Sequence, residues 1–179
     1  LLSYPTSELA GKTIGIIGFG AIGRQVAKIA EAFDMRVLAF DVCELKDSRY
    51  KTVDLDTLLK NSDIVTLHCP LTEQTKNLIC ADALSKMKRT ALLINTARGG
   101  IVDEYALADA LNSDRLAGAG IDVLTQEPPK NGNILFAAKN VILTPHSAWS
   151  TIEARQRLLD ETAGNIKAFF QGNPRNIVS

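Results

Sequence analysis

Arg98, Glu127 and His146 each stand shortly after a separate apolar run. Arg98 lies in Asn95-Thr96-Ala97-Arg98-Gly99-Gly100, just past Ala91–Ile94. Glu127 follows Gly118–Val123, and His146 follows Val141–Leu143 by way of Thr144-Pro145. A planar guanidinium can grip a carboxylate through two hydrogen bonds and polarise a nearby carbonyl oxygen. An imidazole, with an ordinary pKa of about 6.5, can hand that oxygen a proton near neutral pH. A carboxylate beside the ring raises its pKa and keeps it protonated. Cation, acid and partner of the acid form the set that carbonyl reduction by hydride requires. Taken singly, each residue also has an ordinary reading: a solvated loop charge, a turn acid before Pro128-Pro129, a satisfied histidine at a strand end. The second histidine, His68 in Leu67-His68-Cys69-Pro70, also ends an apolar run and reads as structural.

A hydride needs a carrier, and Gly18, Gly20 and Gly23 supply the pattern for one. They spell G-x-G-x-x-G directly after the apolar run Thr13–Ile17 and ahead of a helical pattern. In such a motif the first glycine permits a tight turn. The second lets a pyrophosphate approach the backbone, and the third lets helix and strand pack closely. The first-turn N–H groups of Ala21 and Ile22 then face the phosphates. Asp41 closes the next apolar run, Arg36–Phe40, where a carboxylate accepts both ribose hydroxyls of adenosine. A negative charge there favours NAD over NADP, whose 2′-phosphate it would repel. Arg49 and Lys51 come later and read as solvated loop charges.

These residues need a scaffold that collects strand ends at one edge. Apolar runs at Thr13–Ile17, Arg36–Phe40, Ile64–Leu67, Ala91–Ile94, Gly118–Val123 and Val141–Leu143 read as strands. Between them, Ile22, Val26, Ile29, Ala30 and Phe33 recur at helical spacing, and Asp54–Lys60, Ala81–Met87 and Tyr105–Leu111 read as helices. Such alternation predicts an α/β fold, a Rossmann-type doubly wound parallel sheet with helices on both faces. Ligands of such sheets bind outside the carboxyl ends of the strands, where all the residues singled out above fall. Thr151–Gln171 is one long helical pattern, stopped by Gly172 and Pro174. It is roughly 30 Å long, more than a crossover needs, and is expected to reach a neighbouring domain. The expected organisation is therefore residues 1–10 as the remnant of a link, 11–149 as the NAD-binding domain, and 150–179 as a C-terminal helix and tail.

Composition excludes other classes. Lys and Arg together number 20, as do Asp and Glu, so no basic footprint suggests nucleic acid or an acidic membrane surface. No apolar stretch is long enough to span a bilayer. The N-terminus carries neither a basic leader nor a cleavage signal, and it lacks an initiator Met, so it reads as a cut inside a longer protein. Cys43, Cys69 and Cys80 are odd in number and have no metal-ligand spacing. They read as reduced thiols of a cytoplasmic protein with no metal site.

The segments GKTIGIIGFGAIG, LLINTARGGIVDE, LAGAGIDVLTQEPP and ILTPHSAW resemble those of the D-isomer-specific 2-hydroxyacid dehydrogenases, from about Glu8 to Val178. TPHSAWSTIEARQR and NIKAFFQGNPRNIV are most similar to the bacterial glycerate dehydrogenases, or hydroxypyruvate reductases. The resemblance implies an NAD-dependent exchange of a 2-oxo acid with a D-2-hydroxy acid, hydroxypyruvate and D-glycerate being the pair. It implies Arg98 as substrate anchor, His146 as acid/base and Glu127 as its partner. It further implies cofactor contacts from Cys69, Pro70, Thr75, Thr96, Ala97, Arg98, Asp122 and His146, with Asp122 bonding the nicotinamide amide. Family members carry a substrate domain ahead of this one, so the chain resembles the cofactor domain alone, inactive by itself and part of a homodimer when full length. Asp34 replaces a usual Gly, and Asn-Gly-Asn-Ile-Leu-Phe replaces a usual Asn-Pro-Leu-Leu. The alternative is an NAD(H)-sensing binding module, because some co-repressors share this fold and triad.

Overall fold

A computed structural model of the chain describes residues 6–43 and 49–178. The chain divides into two compact units, the first ending at Pro145 and the second starting at His146. Part of the expected link at residues 1–10 lies outside the described residues.

The first unit is built on seven parallel strands: β1 (Thr13–Ile17), β2 (Arg36–Phe40), β3 (Lys51–Thr52), β4 (Ile64–Leu67), β5 (Leu92–Asn95), β6 (Gly118–Ile121) and β7 (Val141–Leu143). Their order is β3-β2-β1-β4-β5-β6-β7, so the winding reverses between β1 and β4. This is the expected Rossmann-type sheet, with its switch point beside the glycine motif. Helices α1 (Ala21–Ala32), α2 (Leu55–Asn61), α3 (Ala81–Lys86) and α4 (Glu104–Asn112) connect the strands. Asp54 caps α2 and Asp103 caps α4, each accepting first-turn N–H groups.

Alternation along β1 divides the core in two. Ile14 and Ile16 cluster with Ala27 and Ala30 of α1, whereas Ile17 clusters with Leu58 and Leu59 of α2. Successive strand residues face opposite sides, so α1 and α2 cover opposite faces of the sheet. Every residue of β1 is buried, as a strand sandwiched between two helical layers must be.

One expectation needs correction. Lys51 is not a loop charge but part of β3, a strand too short to show a period of its own. In α1 the buried face is Gly23, Ala27 and Ala30, while Ile22, Ile29 and Phe33 are exposed. A Cβ on Gly23 would come within 2.2 Å of the Gly18 carbonyl oxygen. An approach that close admits only small side chains, and it turns the large ones outward.

In the second unit, α5 (Ile152–Phe170) starts at the N-cap Thr151 and buries none of its residues. The tail lies back along it: Arg175 pairs with Glu161 at 3.0 Å, and Asn176 donates to Glu161 at 2.6 Å. Phe169 and Phe170 are exposed. Among the described residues, no helix is long and apolar enough to cross a membrane.

Candidate active site

The turn after β1 has the shape that its glycines predict. Gly18 has φ of 90°, and a Cβ there would meet the Cys69 nitrogen at 2.5 Å. Its conformation and its close packing against the end of β4 both demand glycine. Gly20 has open space where a side chain would stand, so a ligand can reach its backbone. Gly20 also serves as N-cap of α1 with no side-chain hydrogen bond, leaving the amides of Ala21 and Ile22 at an uncapped helix start.

Asp41 lies just beyond β2. Its carboxylate accepts the Phe19 N–H at 2.6 Å and the Cys43 N–H at 2.9 Å. It therefore braces the glycine turn as well as charging the cleft. A carboxylate has about four acceptor positions, so two remain for ribose hydroxyls. Gly18, Gly20, Asp41, Cys69, Pro70 and Thr75 line a cleft of about 490 Å³ at the ends of β1, β2 and β4. Thr75 secures the far wall, its hydroxyl donating to the Pro70 carbonyl at 2.6 Å and accepting the Thr72 N–H at 2.7 Å. Open glycine backbone, an uncapped helix start and a terminal acid fit a dinucleotide.

His68 and Cys69 also face this cleft. Burial lowers the His68 pKa, and Thr66 Oγ1 lies 3.0 Å from its Nε2. Burial, aided by the charge of Asp41, raises the thiol pKa of Cys69. Near neutral pH both groups are uncharged, which suits a wall rather than acid/base work.

Arg98 projects from the turn after β5, and its Nη1 donates to the Ala97 carbonyl at 2.7 Å. The fully buried Asn95 shapes this turn: its Nδ2 donates to the Arg98 carbonyl at 2.9 Å, and its Oδ1 accepts the Ala97 N–H at 3.0 Å. Sequence reasoning passed over Asn95, although an Asn that ends a buried strand is a recognisable turn signal. The two glycines after Arg98 differ in purpose. A Cβ on Gly99 would fall 2.0 Å from the Leu124 carbonyl carbon and 2.3 Å from the Thr125 nitrogen. A Cβ on Gly100 would meet only the Leu71 side chain, at 3.2 Å. Gly99 thus lets the Arg98 turn press on the loop that carries Glu127. There, Glu127 Oε1 accepts the Leu124 N–H at 2.7 Å.

Asp122, just past β6, is buried and accepts a hydrogen bond from the Thr144 hydroxyl, which ties the ends of β6 and β7 together. Thr96 and Ala97 precede Arg98 in the β5 turn. The first unit thus gathers Gly18, Asp41, Arg98, Asp122 and Glu127 at the carboxyl edge of one sheet. His146 begins the second unit, with φ of 52°. Every other non-glycine residue with positive φ among those described is Asn or Asp, which tolerate that conformation well.

A sequence model of the D-isomer specific 2-hydroxyacid dehydrogenase NAD binding domain matches residues 2–148. The chain belongs to this family. It is 55% identical over 177 residues to the glycerate dehydrogenase of Methylorubrum extorquens, covering 98% of this chain and 55% of that protein. Among solved structures, the NAD-complexed D-isomer specific 2-hydroxyacid dehydrogenase of Lactobacillus delbrueckii ssp. bulgaricus superposes with a TM-score of 0.91 at 36% identity, over 99% of this chain and 60% of that one. An acyclic imino acid reductase in complex with NADPH and D-Arg superposes with a TM-score of 0.92 at 39% identity, over 99% and 59%. The chain spans little more than half the length of these relatives.

Proposed function

We propose that this domain is the cofactor-binding part of an NAD-dependent enzyme that interconverts a 2-oxo acid and a D-2-hydroxy acid, with hydroxypyruvate and D-glycerate as the pair. The observation that carries the reading is the shared sheet edge, where the nucleotide turn, Arg98 and the Glu127 loop all emerge. The identity to a glycerate dehydrogenase supports the choice of substrate. Relatives in complex with NAD and with NADPH both occur, and the charge of Asp41 favours NAD for this chain.

In this proposal Gly18, Gly20, Gly23 and the amides of Ala21 and Ile22 hold the pyrophosphate, and Asp41 holds the ribose. Cys69, Pro70, Thr75, Thr96, Ala97 and Asp122 position the remainder of the cofactor. The nicotinamide, when bound, supplies or accepts the hydride. Arg98 grips the substrate carboxylate and polarises the carbonyl oxygen. His146 gives that oxygen its proton, with Glu127 as the partner of the imidazole. The motif around His146 supports its role, as does a chain path that leaves β7 three residues earlier.

We also propose residues 11–149 as the NAD-binding domain and 150–179 as the part that returns to a preceding substrate domain. The exposed Phe169 and Phe170 suit such a return. A homodimer of the full-length protein in the cytoplasm completes the reading, and the exposed Ile22, Ile29 and Phe33 on α1 suit a covered face. The test is a panel of 2-oxo acids with NADH and the intact protein. Turnover of hydroxypyruvate ahead of pyruvate is expected; NADH binding with no turnover of any 2-oxo acid would point instead to a cofactor sensor.

A further inference from the structure

Glu104 has no part in the chemistry proposed above, yet both of its oxygens are committed. Oε1 accepts the Thr125 N–H at 2.7 Å, and Oε2 accepts the Asn133 side-chain amide at 2.7 Å. One carboxylate therefore holds both ends of the loop that contains Glu127. Asn133 passes the restraint onward, its Oδ1 accepting the Leu135 N–H at 2.9 Å and capping a short helical turn at Ile134–Ala137. The Asn-Ile-Leu-Phe stretch that departs from the usual family pattern is thus anchored through its Asn. Glu104 is the first residue of α4, directly after the cap Asp103. The peptide joining Leu124 to Thr125 is where the restraints meet. Its N–H at Thr125 goes to Glu104, its neighbour at Leu124 orients Glu127, and its backbone is the surface on which Gly99 presses.

We propose that Glu104 is a positioning residue that fixes the Leu124–Thr125 peptide, and with it the Glu127 carboxylate, against the Arg98 turn. The inference rests on the functional reading above for its catalytic consequence, but not for the restraint itself. Thr125 is exposed, so water can replace the bond lost on removing Glu104. The loop then loosens without the domain unfolding, and the effect falls on the placement of Glu127 rather than on stability. The proposed pyrophosphate and ribose contacts Gly18, Gly20 and Asp41 lie in the cleft at β1, β2 and β4, which contains none of the residues of this loop, so NADH affinity should change far less than kcat.

The experiment compares the intact protein with Glu104→Ala and Glu104→Gln. Amide hydrogen exchange is read at Leu124 and Thr125, with β1 and α1 amides as the internal reference, alongside NADH affinity, kcat, KM and the pH profile of 2-oxo acid reduction. Glu104→Ala should raise exchange at Leu124 and Thr125 about tenfold or more. It should lower kcat by about one to two decades, less than loss of the acid itself. The pH profile of reduction should change in the same sense as for loss of Glu127. Glu104→Gln keeps one acceptor oxygen and should restore part of each effect. Unchanged exchange at Leu124 and Thr125 overturns the restraint whatever the activity. Faster exchange with kcat and pH profile unchanged overturns the positioning of Glu127. If the unsubstituted protein reduces no 2-oxo acid, the functional reading fails, and the exchange data still decide the restraint.

Discussion

Replacing Gly99 by Ala tests whether the spacing between two loops matters to the chemistry. The added methyl would lie 2.0 Å from the Leu124 carbonyl carbon, 2.2 Å from its oxygen and 2.3 Å from the Thr125 nitrogen. All three are backbone atoms, so no rotamer change relieves the overlap. Real Cβ contacts essentially never fall below 3.0 Å, so the Arg98 turn and the Glu127 loop must part by about 1 Å. Overpacking of this kind costs about 1–3 kcal/mol, which in a chain of this size lowers Tm by about 2–12 °C. Misplacing a reacting group by about 1 Å costs about a hundredfold in rate, or about 2.7 kcal/mol of barrier. The assay is steady-state reduction of hydroxypyruvate by the intact protein, with NADH affinity from fluorescence and Tm from calorimetry. The expected result is a kcat down by about two decades with KM for NADH changed far less. A kcat within threefold of that of the unsubstituted protein despite a lowered Tm would show that the spacing does not matter, because the loops would then have parted without consequence.

Asp41→Ala should weaken NADH binding by about one to two decades and narrow the gap to NADPH, since it removes charged hydrogen bonds and frees the Phe19 N–H; an NADPH affinity equal to or above that for NADH in the unsubstituted chain would overturn the specificity argument. His146→Gln should lower kcat by about two to four decades. Glu127→Gln should lower kcat and alter the pH profile of reduction, because it removes the proposed partner of the acid; an unchanged profile would count against the pairing. For His68, burial lowers the folded-state pKa below 6.5, so the unfolded chain binds a proton that the folded protein does not. The stability that neutral His68 contributes is present above about pH 6.5 and is lost as pH falls through the window down to the lowered value. His68→Asn should therefore flatten the pH dependence of urea unfolding there, and identical slopes for both proteins would dismiss the effect.

Much of the fold was legible because it depends on short-range pattern. β1, β2, β4 and β7 begin and end where their apolar runs do, and β5 is displaced by a single residue, since Asn95 continues the strand while already turning it. The βα alternation specifies parallel strands, because a crossover helix returns the chain to the same end of the sheet. The glycine motif was legible for the same reason: Gly23 answers a steric demand at Gly18, Gly18 answers one at the neighbouring β4, and Gly20 leaves its backbone open to a ligand. The outward turn of Ile22, Ile29 and Phe33 was not, because helical periodicity marks a stripe without saying which side packs, and the Gly18–Gly23 approach decided it. β3 was hidden because its two residues have no periodicity and pair only with β2. Nor could the sequence show what Gly99 is for, or that Glu104 holds the ends of a loop 21 and 29 residues away. Those contacts exist only once β5 and β6 lie side by side, when residues distant along the chain come within hydrogen-bond reach. Residue type and local spacing carried the chemistry that this protein could perform, and packing across the sheet decided which side chains hold that chemistry in place.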